Sequence, residues 1–63
     1  MKSKKIEEIL KILKEEELTA PQIAKRINTT QSYVYQLLYR LEAMGQLTRR
    51  WEGAWVWKAK DSF

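Results

Sequence analysis

At Gly45 the hydrophobic period of the chain changes. Before it, apolar residues recur at intervals of three and four; after it, Leu47–Trp51 and Trp55–Ala59 are rich in β-formers and flank one short loop. A 3.6-residue period and a two-residue period belong to different backbone conformations. The chain is therefore expected to place helices first and a hairpin last. At 63 residues it holds one domain, residues 1–63.

The helices can be bounded from their ends. Ile6, Ile9, Leu10 and Leu13 form one face of a helix predicted over Ser3–Glu16, with Ser3 as N-cap and Glu7 four residues ahead of Lys11. Ile12 lies beside this stripe, as a core edge or as spare apolar surface. Thr19 and Gln22 are spaced as a capping box for a second helix. Pro21 falls in its first turn, where a missing amide costs nothing, and Leu18 and Ile23 can staple its start. Asn28, which tolerates the left-handed conformation, suits its end. Thr29-Thr30 offers the next N-cap, for a third helix over Gln31–Met44 with the stripe Val34, Leu37, Leu38 and Leu41. Gly45 is the expected C-cap. In the hairpin, a loop of Glu52-Gly53-Ala54 pairs Trp51 with Trp55, Arg49 with Trp57 and Leu47 with Ala59, all on one face. At least two of the three tryptophans are expected to pack on the helices, with one near the tip left exposed.

Composition narrows the chemistry. With no Cys and no His, disulfides, Cys/His zinc sites and the usual general base are excluded. There is no Gly-rich phosphate loop, no Ser/His/Asp set and no pair of carboxylates on a defined face. A domain this small buries only about 60% of its unfolded surface, which leaves little room for a substrate cavity. The expectation is a non-enzyme without cofactor, metal or small-molecule effector. No apolar run approaches the roughly 20 residues of a membrane span; no membrane partner is expected, and the reading is a soluble, cytoplasmic, nucleoid-associated protein.

The net charge of +4 is unevenly spread. Residues 1–17 carry five Lys and five Glu, whereas residues 18–60 carry Lys25, Arg26, Arg40, Arg49, Arg50, Lys58 and Lys60 against Glu42 and Glu52. A positive field over the C-terminal two thirds suits a polyanion; a solvated Lys/Glu-rich surface is the plain alternative. Glu15-Glu16-Glu17 reads as a solvated helix end, as do Lys25 and Arg26, whose other reading is contact with the backbone of a polyanion.

Two short helices joined by a tight turn make a helix-turn-helix unit. The run Leu18-Thr19-Ala20-Pro21-Gln22-Ile23-Ala24, the turn at Asn28, and Leu38, Leu41, Gly45 and Leu47 resemble the winged helix-turn-helix family, a pattern shared by MarR-like, ArsR-like and penicillinase-repressor-like regulators. The resemblance spans about residues 4–60 and implies an α+β fold ordered helix, short strand, helix, helix, hairpin. It also implies a third helix in the major groove of double-stranded DNA and the hairpin as a wing. Opposite the apolar stripe of that helix, without a carboxylate among them, lie Gln31, Ser32, Tyr35, Gln36 and Tyr39. The first four are candidates for base edges and Tyr39 for a phosphate. Arg40, Arg49, Arg50 and Lys58 are candidates for the backbone, with Lys58 across the wing from the two arginines. The expected function is a small sequence-specific transcriptional regulator. Because one module buries only about 600–1,000 Å² on DNA, a homodimer is expected, with Ile12 and Phe63 as candidate contacts. A protein-interaction winged helix is one alternative.

A second resemblance supplies another. Tyr35 to Ala59 is similar, without a gap, to the Z-form nucleic-acid-binding winged helices of RNA-editing adenosine deaminases. Tyr39 and Trp57 match that family's Tyr on the recognition helix and Trp in the wing. Tyr35 stands where the family has a phosphate-binding Asn, Ala54 and Trp55 replace two prolines, and Gln31 and Ser32 replace basic residues. This resemblance implies binding of Z-form DNA or RNA.

Overall fold

The second and third helices begin and end where their cap chemistry says they should. A computed structural model describes residues 4–60, and orders them as α1 (Lys4–Leu13), β1 (Leu18–Thr19), α2 (Ala20–Arg26), α3 (Gln31–Ala43), β2 (Leu47–Trp51) and β3 (Trp55–Ala59). Thr19 opens α2 with the complete capping box: its backbone N–H donates to Gln22 Oε1 at 2.9 Å, and Gln22 N–H donates to Thr19 Oγ1 at 3.4 Å. Thr30 caps α3 by accepting from Tyr33 N–H at 3.2 Å.

Both helices of the turn end in the same way. Asn28 takes φ 57° after α2, while Thr29 N–H reaches back to Ala24 O and Asn28 N–H to Lys25 O. Gly45 takes φ 77° after α3, with Gln46 N–H on Leu41 O and Gly45 N–H on Glu42 O. These are two Schellman closures, which satisfy the last carbonyls of each helix and turn the chain sharply.

α1 is shorter than its periodicity suggests. It ends at Leu13 rather than Glu16, and the N–H groups of Glu15 and Glu16 both bond to Ile12 O as the chain turns away. Leu13 is the last residue of the apolar stripe, and Leu18 must enter the core only five residues later, so the helix cannot continue. Glu15-Glu16-Glu17 is therefore a linker, not a helix end. Ser3, the expected N-cap, lies outside the described residues.

The sheet is antiparallel in the order β1-β3-β2. β3 lies in the centre, pairing Leu18 with Trp57 on one side and Leu47 with Ala59, Arg49 with Trp57 and Trp51 with Trp55 on the other. The three-residue hairpin loop is thus the observed one, with Gly53 at φ 76°. Leu18, Leu47, Trp57 and Ala59 point from the sheet into a core completed by Ile9, Leu13, Ile23, Ile27, Val34, Leu37, Leu38 and Leu41. Only Trp57 of the three tryptophans is buried; Trp51 and Trp55 are 62% and 42% exposed. The expectation that two would pack on the helices fails: Trp51 and Trp55 face one another as the last pair before the hairpin loop. Trp51 and Trp55 cover one another instead, ring centroids 5.2 Å apart and edge to face.

Candidate nucleic-acid interface

The alternation of the wing decides which side chains meet α3. Leu47, Arg49, Trp51, Trp55, Trp57 and Ala59 share the helix-facing side, while Thr48, Arg50, Val56 and Lys58 point to the other. Lys58 pairs with Thr48, so it stands near Arg50 but on the opposite face from Arg49. The three wing cations expected to act together are split between two surfaces.

On the α3 side the sequence brings together a chain of rings. Tyr35 and Tyr39 stack one helical turn apart at 5.9 Å, and Tyr39 meets Trp57 edge-on at 5.8 Å and 69°. Tyr39 remains 49% exposed, whereas Trp57 is fully buried beneath it and its Nε1 has no hydrogen-bond partner. The guanidinium of Arg49 sits at the centre of this surface. Its carbon lies 5.7 Å from the Tyr39 ring, 5.4 Å from Trp57 and 4.4 Å from Trp55, within cation–π range of all three. Gln31, Ser32, Gln36 and Arg40 lie exposed on α3, and Tyr35 is half-buried against the core. Lys25 joins them from α2, lining a shallow groove with Thr29, Thr30 and Gln31.

Carboxylates engage both arginines of the wing. Arg49 Nε lies 3.2 Å from Glu42 Oε2. Arg50 donates from Nε to Glu52 Oε2 at 2.9 Å and from Nη1 to Glu17 Oε2 at 3.0 Å, and its Nη2 is also paired with Glu17. Hydrogen bonds to Glu52 first, and then to Glu17, hold the Arg50 pKa above its ordinary value. Behind the interface, Arg26 grips Glu16 through both terminal nitrogens at 2.8 and 3.1 Å, which lowers the Glu16 pKa. Lys5 Nζ donates to Ile27 O at 2.6 Å, a cation closing the end of α2. Glu42 follows the stripe of α3 by one residue, so its reach to Arg49 was a matter of tertiary geometry.

Ile12, one of the two candidate dimer contacts, packs as a half-buried side chain against the core. The other, Phe63, lies outside the described residues. The aromatic role of Arg49, and the exposure of both Trp51 and Trp55, were missed; the Arg49–Trp57 pairing in the register was the available signal.

Three helices, a tight αL turn between the second and third, and a hairpin packed back on the third define a winged helix-turn-helix domain. The chain is similar to the Zalpha domain of PKZ from Carassius auratus, whose crystal structure is of a complex with Z-DNA. The two are 28% identical, over 87% of this chain and 90% of that one, and superpose with a TM-score of 0.80. No protein-family model matches the sequence, and no curated protein matches it.

Proposed function

We propose that this domain binds duplex nucleic acid through α3 and the wing, and that it prefers the left-handed Z form. The single observation that carries the reading is the half-exposed Tyr39 ring set edge-on against buried Trp57, in a domain similar to one solved on Z-DNA. A helix that reads a B-form major groove presents long polar side chains to base edges. Here the middle of the presented face is two stacked rings. Rings suit a duplex in which bases lie close to the outer surface, as they do in a left-handed helix. Lys25 on α2 and Arg40 on α3 are exposed and supply attraction to the phosphates. The role is binding, with no catalytic step.

The test is circular dichroism of an alternating CG duplex titrated with protein. The expected result is inversion of the long-wavelength bands, which Tyr39→Ala abolishes while its melting curve stays close to that of the parent. A saturating titration that leaves the spectrum right-handed would refute the Z-form preference.

The exposed Gln31, Ser32 and Gln36 favour a second reading, a sequence-specific regulator on B-form DNA, acting as a homodimer across two half-sites. Under that reading Gln36→Ala costs about 1–3 kcal/mol on a preferred site and little on random duplex. Under the first it costs both about equally.

A further inference from the structure

Trp51 and Trp55 stand at the wing tip, outside the core, yet they are the largest exposed apolar side chains near the interface. They are continuous with it, because the Arg49 guanidinium that lies 5.7 Å from Tyr39 also lies 4.4 Å from the Trp55 ring. The tip is poorly suited to grip phosphate. Arg50 is held by Glu17 and Glu52, Arg49 by Glu42, and Glu52 itself belongs to the tip loop. Cations already paired with carboxylates, beside two partly exposed rings, suit a flat and uncharged partner. In nucleic acid that partner is the face of a base, and a paired base inside a regular duplex keeps its face covered by its neighbours. Unpaired bases are the ones that stack on aromatic side chains and guanidinium planes.

We propose that Trp51 and Trp55 form a stacking platform for an unpaired base adjoining the duplex held by α3. The domain then prefers duplexes that end in, or are interrupted by, unpaired nucleotides. This rests on the duplex-binding reading above, and the test separates the two.

The full chain is titrated by fluorescence anisotropy against a blunt alternating CG duplex, the same duplex with a short thymidine overhang, and a thymidine single strand, each at two salt concentrations. The overhang is expected to tighten binding by about tenfold, the contribution of roughly one base–aromatic stack. The Trp51→Ala/Trp55→Ala double variant should lose that gain while its affinity for the blunt duplex and its salt slope stay unchanged. Phe at both positions should restore most of the gain. Both rings are exposed, so melting and far-ultraviolet circular dichroism should show the variant folded. A gain that persists in the double variant belongs to the added phosphates and overturns the platform. Equal wild-type affinity for both duplexes also overturns it and leaves the pair as a protein-docking tip, with duplex binding intact. A variant that loses blunt and overhanging duplex alike overturns it too, since the rings would then serve the duplex. If neither duplex binds, the duplex reading fails; Trp-dependent binding of the single strand would still support the platform, and no such binding would sink both.

Discussion

Arg49 shows how one side chain can be committed in two directions. Its guanidinium is shared between three ring faces and the Glu42 carboxylate 3.2 Å away. A phosphate approaching α3 competes with that carboxylate. A partly exposed ion pair is worth up to about 1 kcal/mol, so the competition is mild but measurable. Glu42→Gln is therefore expected to tighten duplex binding by up to about fivefold and to steepen the dependence of log K on log salt. An unchanged slope would mean that Arg49 serves the ring cluster alone. Glu16 offers a second residue-scale test. Its pKa in the folded chain lies below its ordinary value because Arg26 hydrogen-bonds the carboxylate. The stability this contributes is present above the unfolded pKa and is lost as pH falls through the folded one. Melting of the parent and of Glu16→Gln should differ at neutral pH and converge in acid well below the carboxylate range; a difference that persists there would assign the effect to packing.

The elements carry their own instructions. In α2, seven residues are too few to hold a helix alone, and the Thr19–Gln22 box and the Asn28 closure set its ends. Thr19→Ala is expected to cost about 1 kcal/mol in denaturant unfolding. Gly45→Ala should cost about 1 kcal/mol as well, for a different reason. A Cβ there meets nothing within 4 Å, so the penalty is purely that of φ +77° for an L-residue. Asn at the same position should recover part of it, which a steric cause would not allow. These features were legible because capping chemistry is local. The end of α1 was not: its periodic stripe stops at Leu13, but the following Lys/Glu run is compatible with helix, and only the need to deliver Leu18 to the sheet ends it.

At the scale of the molecule, Trp57 joins the layers. It lies in the central strand, fully buried, with β1 on one side, β2 on the other and Tyr39 of α3 across its edge. Truncating such a ring costs about 3–5 kcal/mol, whereas a chain of this length has roughly 3–9 kcal/mol of stability in all. Trp57→Ala is expected to populate unfolded chain at room temperature, visible as a collapsed or absent thermal transition. A variant that melts cooperatively near the parent temperature would show that the helices hold without the wing. Loss of binding in Trp57→Ala would consequently say nothing about the interface, and Tyr39, half-exposed, is the proper residue to change.

What the amino-acid order by itself determined is whatever depends on neighbours a few residues apart. The helical stripes, the two αL closures at Asn28 and Gly45, the capping box at Thr19, and the hairpin register that sets Arg49 opposite Trp57 all rest on short spacings along the chain, eight residues at most. From these the winged fold and the α3 face could be read. Tertiary structure decided what depends on how far one layer extends over another. It left Trp51 and Trp55 exposed at the hairpin tip, parted Arg49 from Lys58, and brought Glu17, from the linker after α1, to Arg50 across 33 positions of chain. Hydrophobic pattern marks which side chains prefer to leave water, but only the relative lengths and placement of packed elements determine which of them find cover and which charges find each other.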